Sequence, residues 1–239
     1  MGQRLQMIVA IHQPNFFPWL GFFHKILVAD VFIFLDDVQF PKSGAGANSN
    51  RVKMLVSGEP RWVTASIDRH FKGSGKINEV GFNREVRWRE KVSKTIETNY
   101  RRAPHFDEVF PVLEPLISNP EIMVAEYNST AIVVLCKQLG ICNKKMYWSS
   151  KLIHTGKSNH LLSSLTKQVG GTEYLTGKGA LSYLDETVYE SVGIRVTHQS
   201  FQNLEYFQHN SPDFVPGLSI IDAVMNIGFE NVSELLKCS

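Results

Sequence analysis

Two short apolar segments with a helix-like segment between them constrain the fold of this chain most strongly. Met7 to Ile11 and Val31 to Leu35 have the length and composition of buried strands. Between them, apolar residues recur at the spacing of one helix face: Trp19, Phe22, Phe23, Ile26 and Leu27. This order predicts a compact βαβ unit. Open parallel sheets bind ligands where a strand ends and the following helix begins, so a site is expected there.

The rest of the chain predicts an α/β fold with a mainly parallel sheet and a predominantly helical insertion. Residues 1–82 form an N-terminal α/β part, and residues 141–239 complete the same domain with alternating strands and helices. Residues 83–140 are the helical insertion. Within it, Asn119-Pro120 predicts a helix start and Gly140 predicts the end of that helix. A chain of 239 residues, 43% of them hydrophobic, can bury a substantial core.

Composition and spacing narrow the function classes. A net charge of +2 gives no argument for nucleic acid. No segment approaches the roughly 20 apolar residues that span a bilayer, and no signal peptide pattern is present, so a cytoplasmic protein is expected. The three cysteines include no close pair, and the eight histidines include no zinc-ligand spacing, so no metal is expected. The sequence also lacks a glycine-rich dinucleotide motif after the first strand, so no cofactor is predicted. A homodimer is compatible with the sequence.

Three polar residues follow the first predicted strand at the expected site. His12 precedes Pro14, so its ring is expected to project from the carboxyl end of the strand. A histidine titrates near neutral pH and can accept a proton from an amine or hydroxyl nucleophile. Gln13 and Asn15 carry amides that suit sugar hydroxyls or a base edge. A purely structural role in the turn is the alternative for all three residues.

Two adjacent carboxylates, Asp36 and Asp37, follow the second predicted strand. Neighbouring residues on a strand point to opposite faces, so the two carboxylates converge only if the strand has already ended or bulged. Asp37 and Gln39 would share a face. We expect Asp37 to bond substrate or His12, and an ion pair with a nearby Lys or Arg is the equal alternative.

Three cations are candidates for holding a diphosphate, namely Lys42, Arg51 and Lys178. Phosphate binding also needs backbone N–H donors, which the helix start at Trp19 or a turn containing Gly177 and Gly179 can supply. An exposed turn is the alternative interpretation of Lys178.

Several segments together resemble the WbqC-like family. The first runs from His12 to Ile26 and reads His12-Gln-Pro-Asn-Phe-Phe-Pro-Trp-Leu-Gly-Phe-Phe-His-Lys-Ile26. It is followed by Leu35-Asp-Asp-Val-Gln-Phe40, by Lys42 and Asn50-Arg51, and later by Tyr174-Leu-Thr-Gly-Lys-Gly-Ala180 and Phe214-Val-Pro-Gly-Leu-Ser-Ile-Ile-Asp-Ala223. The resemblance spans nearly the whole chain. Gly44 to Ser49 depart from the family pattern, in which an aromatic and an arginine usually precede the Asn-Arg pair.

The resemblance implies a bacterial protein of surface polysaccharide biosynthesis, notably of O-antigen. It implies acyl transfer, glycyl transfer included, to the amino group of a nucleotide-linked amino sugar. His12, helped by Asp37, would accept the amine proton. Substrate would be bound by motif residues, namely Gln13, Asn15, Trp19, Gln39, Lys42, Asn50, Arg51, Gly177, Lys178 and Gly179. The co-substrate would be an activated acyl donor whose identity the sequence leaves open.

Two other functions remain open at this point. One is a non-catalytic protein that binds a nucleotide sugar during polysaccharide assembly. The other is a divergent nucleotidylyltransferase of the HIGH type, which also places a histidine motif at the first strand-helix junction. Here Gly21 and His24 are separated by two phenylalanines, and Ser149-Ser150-Lys151 matches the late serine-rich motif only loosely. Both departures weigh against nucleotidyl transfer.

Overall fold

A five-stranded parallel sheet organises the fold in a computed structural model that describes residues 6–41, 48–68, 75–141, 144–177, 179 and 183–239. The strands are β1 (Ile8–His12), β2 (Val31–Phe34), the hairpin strands β3 (Arg51–Val56) and β4 (Glu59–Thr64), β5 (Lys145–Trp148), β6 (Glu173–Thr176) and β7 (Arg195–His198). The main sheet has the order β5-β2-β1-β6-β7 with every pairing parallel, whereas β3 and β4 form a separate antiparallel pair. The predicted α/β class is confirmed.

Seven α-helices surround the sheet within the described residues. They are α1 (Leu20–Val28), α2 (Trp88–Tyr100), α3 (Phe106–Ser118), α4 (Val124–Gln138), α5 (Asn159–Gln168), α6 (Glu186–Glu190) and α7 (Ile220–Cys238). Helix α1 joins β1 to β2, as the βαβ prediction requires, and α2 to α4 lie between the hairpin and β5. The division into residues 1–82, 83–140 and 141–239 stays a prediction. None of the described helices is both long enough and apolar enough to cross a membrane.

Side chains of the central strand β2 alternate between two apolar layers, one on each face of the sheet. On β2, Phe32 and Phe34 belong to the apolar cluster that contains α1, α4 and α7, whereas Val31 and Ile33 belong to a second cluster with Leu165 of α5. Successive strand residues point to opposite faces, so a strand that is apolar throughout must be covered on both sides. All four residues of β2 are buried. Each such side chain contributes about 1.5–3 kcal/mol when fully buried.

The start of α7 connects the main sheet to the hairpin. Ser219 caps α7, because its Oγ accepts a hydrogen bond from Ile221 N at 3.2 Å. Ser219 N donates to Lys53 O on β3 at 2.8 Å. The Asp222 carboxylate, in the first turn of α7, is buried and accepts hydrogen bonds from Tyr100 and Tyr206, both at 2.8 Å.

The predicted helix start at Asn119-Pro120 is wrong, because α4 begins at Val124. The Asn119 side chain accepts a hydrogen bond from Glu121 N at 3.0 Å, and Glu121 Oε1 accepts from Ile122 N and Met123 N. Side-chain acceptors therefore hold this segment in turns, which compete with helix formation. The predicted end of α4 is correct, because Gly140 has φ +68° and follows the last turn.

Candidate functional site

The main cleft lies where the order of the sheet reverses. From β1 the chain builds outward through β2 to β5 and then crosses to the other side of β1, where β6 and β7 follow. The carboxyl ends of β1 and β6 are therefore neighbours whose connections diverge, which is the position at which doubly wound sheets bind ligands. Two cavities of about 340 and 560 Å³ open here. Among the described residues, four line both cavities: His12, Lys25, Gly177 and Gly179.

His12 ends β1 and lines both cavities. Its Nδ1 lies 2.9 Å from the Gln13 carbonyl oxygen. A carbonyl can only accept, so Nδ1 carries the proton and the lone pair of the neutral ring is on Nε2. Burial, reinforced by the charge on Lys25, lowers the pKa of His12 to about 4. The imidazole is therefore neutral at physiological pH and able to accept a proton at Nε2.

Lys25 is a buried cation that lines the same two cavities. Lys25 belongs to α1, and 4% of the residue is exposed. Its Nζ donates a hydrogen bond to Ile11 O at 3.3 Å. No carboxylate within the described part of the chain forms an ion pair with it. Burial lowers the pKa of Lys25 to about 8. A buried ammonium without a carboxylate partner suits an anionic ligand.

The loop between β1 and α1 is fixed by contacts from distant parts of the chain. Asn128 of α4 is buried, and its Nδ2 donates to Pro14 O at 2.9 Å and to Ser49 O at 2.7 Å. Ser219 Oγ donates to Phe17 O at 2.7 Å, where Phe17 has φ +40°. These bonds stabilise a backbone conformation that few non-glycine residues adopt. The walls of the cleft are therefore preorganised.

Several predicted site residues do come together around this loop. Gln13 and Asn15 line the cavity of 560 Å³, and Trp19 lines the cavity of 340 Å³. The Trp19 ring covers the start of α1, where a β-carbon on Gly21 would overlap it. Glycine is required at this position because of that close approach. Gly177 supplies the facing wall from the end of β6.

Asp37 is not paired with His12, so that expectation is corrected. Its Oδ2 lies 2.8 Å from His154 Nε2, and its Oδ1 accepts a hydrogen bond from Ser149 Oγ. Ser149 Oγ also lies 2.9 Å from Asp36 Oδ1, which is a second possible acceptor for the same hydroxyl. Both carboxylates can face one hydroxyl because β2 ends at Phe34, before the alternation of a strand would separate them. Asp37 does not line either cavity in the described part of the molecule.

The remaining predicted residues lie outside the cleft or outside the described residues. Gln39 is exposed and forms an isolated bridge with Lys76. Asn50 Nδ2 donates to Ala65 O at 2.9 Å, which is a structural bond within the hairpin region. The Arg51 guanidinium carbon lies 4.4 Å from the centroid of the Trp62 ring. Lys42 and Lys178 both fall outside the described residues.

Lys25 and Gln199 line the cleft, although neither was predicted as a site residue. Lys25 is, with His24, one of two polar side chains in an otherwise apolar helix, and that isolation was the available signal. Gln199 follows β7 and lines the cavity of 340 Å³. Its Nε2 donates to Gly21 O at 2.7 Å and lies 2.9 Å from His24 Nδ1. No local pattern indicates that Gln199 meets the start of α1.

The described residues contain no group of three or more His, Cys, Asp or Glu side chains placed to hold a metal ion. The polar residues that line the cleft supply an imidazole, an ammonium, amides, the hydroxyls of Tyr174, Thr176 and Tyr183, and backbone groups. This set can bind an anion and accept a proton.

Comparisons with known proteins agree with the motifs. A profile described as the WbqC-like protein family matches residues 13–234. Uncharacterized protein Rv1507c of Mycobacterium tuberculosis (strain ATCC 25618 / H37Rv) is 32% identical over 232 residues, which cover 96% of this chain and 98% of that protein. No solved structure matches the chain significantly. The matched range begins immediately after His12 and includes Lys25, Gly177, Gly179 and Gln199. Because the profile covers most of the chain, the chain belongs to the WbqC-like protein family.

Proposed function

We propose that this protein transfers an acyl group, glycyl or a similar small acyl, to the amino group of a nucleotide-linked amino sugar in surface polysaccharide biosynthesis. The observation that carries the proposal is the pairing of a neutral imidazole with a buried, carboxylate-free ammonium in one cleft at the switch point. An amide-forming transferase needs a proton acceptor for the amine. A nucleotide-sugar enzyme needs positive charge for the diphosphate.

Lys25 would bind the diphosphate. Its ammonium is already buried, so little further water has to be removed from it when a phosphate oxygen binds. The phosphate oxygen then accepts a charge-assisted hydrogen bond from the ammonium. The start of α1 can add backbone N–H groups, because its first turn contains no acidic side chain to compete for them. The negative charge of the ligand would also counter the effect of Lys25 on His12, which raises the basicity of the imidazole when substrate is bound.

His12 would act as the general base. The amine nitrogen attacks the acyl carbonyl carbon, and a carbon–nitrogen bond forms. As the nitrogen becomes positively charged, His12 Nε2 accepts its proton, while the hydrogen bond from Nδ1 to Gln13 O stabilises the imidazolium. The bond from the acyl carbon to the leaving group then breaks, and the proton passes from Nε2 to the leaving group. Gly177 and Gly179 follow β6 and line the same cleft, and their N–H groups are candidates to bind the oxyanion.

Nucleotidyl transfer has less support. His24 is buried, lies beside Gln199 and does not line either cavity within the described residues. Ser149 Oγ lies within hydrogen-bond distance of Asp36 and Asp37, and Ser150 Oγ donates to Asp36. His24, Ser149 and Ser150 are thus engaged in internal bonds, which weighs against nucleotidyl transfer.

The test incubates purified protein with nucleotide-linked 3- or 4-amino sugars and activated glycyl or other acyl donors, and mass spectrometry analyses the products. Acyl transfer predicts an added acyl mass on the sugar. His12→Gln should reduce the rate about 10²–10⁴-fold, the usual contribution of a general base. The matched control is His160→Gln, an exposed histidine on α5, which should retain the rate. Saturable binding without product would instead indicate a binding protein, and released pyrophosphate would indicate nucleotidyl transfer.

A further inference from the structure

A further cavity of about 430 Å³ adjoins the main cleft along the loop between β1 and α1. It is separate from the cavities of 340 and 560 Å³ and is called the second cavity. Asn15 and Asn48 line both this cavity and the cavity of 560 Å³, and Trp19 lines both this cavity and that of 340 Å³. The cavity of 430 Å³ and the main cleft are therefore neighbours that share walls. Neither the general base nor the diphosphate site uses this space.

The outer wall of the second cavity is an exposed tryptophan. Trp62 on β4 is 46% exposed, and it lines this cavity. Its ring is held by two cations of β3, with the Arg51 guanidinium at 4.4 Å and Lys53 Nζ at 5.4 Å from the centroid. Lys53 is the direct register partner of Trp62, so the hairpin itself fixes this arrangement. The result is a flat aromatic surface whose orientation is set before ligand arrives.

The inner wall carries an amide whose oxygen has no hydrogen-bond partner. Asn15 is 4% exposed, and its Oδ1 is buried without a partner among the described residues. Buried amide oxygens ordinarily carry a hydrogen bond, so this one has unused acceptor capacity beside the cavity. An amide can match the donors and acceptors on the edge of a base. The residues lining this cavity in the described part of the chain include Lys53 and no acidic side chain, which suits a ring attached to phosphate.

We propose that the second cavity binds the base of the nucleotide sugar, with the ring stacked on Trp62 and its edge facing Asn15. This inference rests on the proposed function, because it assigns one part of the same substrate. Stacking on an aromatic side chain needs no particular base, whereas Asn15 would select among bases by the pattern of donors and acceptors.

The experiment measures calorimetric binding of uridine, thymidine, guanosine and adenosine diphosphates and of pyrophosphate to the full chain. We expect Trp62→Ala to weaken the preferred nucleoside diphosphate about tenfold or more and to leave pyrophosphate binding unchanged. Trp62→Phe should retain most of the affinity, because an aromatic face remains. Phe207→Ala is the matched control, since Phe207 is 62% exposed and lies outside the three cavities. Lys25→Met should weaken nucleoside diphosphates and pyrophosphate alike.

Equal affinities of the wild type and Trp62→Ala for every nucleoside diphosphate would overturn the base site, as would equal weakening of nucleotide and pyrophosphate. Acylation of an amino sugar that lacks a nucleotide, at the same kcat/KM as the nucleotide-linked sugar, would overturn it as well. The selective effect of Trp62→Ala together with no acyl transfer would support the base site and reject the proposed reaction. The two proposals can therefore fail separately.

Discussion

Replacing Lys25 by methionine should stabilise the protein while weakening its binding of phosphate. Methionine has a similar volume and no charge, so it can fill the space of the buried side chain without burying an ammonium. The fall in the pKa of Lys25 from 10.5 to about 8 corresponds to about 3 kcal/mol of destabilisation of the folded protein wherever the ammonium is charged. Loss of the hydrogen bond to Ile11 O offsets about 1 kcal/mol of that gain.

The net gain of about 2 kcal/mol should raise the Tm by about 5 °C at pH 7 for a chain of this length. Lys25 releases its proton near pH 8 in the folded protein but near pH 10.5 when unfolded. The wild type therefore gains stability as the pH rises between these values, and the advantage of the variant should shrink over the same interval. Differential scanning calorimetry at pH 7 and at pH 10 measures both effects.

The matched control for this variant is Lys94→Met, which makes the same chemical change on the exposed face of α2. It should shift the Tm by about 1 °C or less, because the ammonium of an exposed lysine stays hydrated in the folded protein and folding costs it little free energy. Lys25→Met should also weaken pyrophosphate and nucleoside diphosphate binding by at least tenfold. A less stable variant at pH 7, or one with unchanged phosphate affinity, would refute the view of Lys25 as an uncompensated buried cation kept for an anionic substrate.

Three further predictions follow from the cleft and its loop. His12→Asn should reduce kcat of acyl transfer at least 10²-fold with little change in the Kd for the nucleotide sugar, and a change confined to Kd would contradict a role as base. The kcat/KM should rise with pH through the pKa of His12 near 4 and fall through the pKa of Lys25 near 8; an acid limb near 6.5 would show that the imidazole is not desolvated. Asn128→Ala should lower the free energy of unfolding by about 2–3 kcal/mol, because two buried carbonyls lose their donor, whereas exposed Asn231→Ala should change it by less than about 1 kcal/mol in urea unfolding.

The main sheet could be predicted because its strands are marked locally. The segments predicted at Met7 to Ile11 and Val31 to Leu35 are short and apolar, and their limits agree with those of β1 and β2 within a residue. The position of His12 followed from the same reasoning, because it comes directly after the first such segment. Strand order and the resulting switch point did not follow, since they depend on which strands pair across the whole chain.

Side-chain partners were harder to predict than elements. The pairing of Asp37 with His154 joins residues far apart in sequence, and it depends on where β2 ends and how β5 continues into the segment that carries Ser149. The alternation of residues along one strand predicts neither the end of β2 nor the course of the chain after β5. Lys25 was missed for a related reason: helical periodicity places it among the apolar residues of α1, but only the assembled sheet shows that it reaches a cavity.

The most direct test of the central claim is a crystal structure of the protein with a nucleotide-linked amino sugar bound. The account predicts that a diphosphate oxygen lies within hydrogen-bond distance of Lys25 Nζ and that the sugar nitrogen lies about 3 Å from His12 Nε2. A complex in which the sugar nitrogen faces another part of the surface, with His12 and Lys25 untouched by ligand, would contradict it.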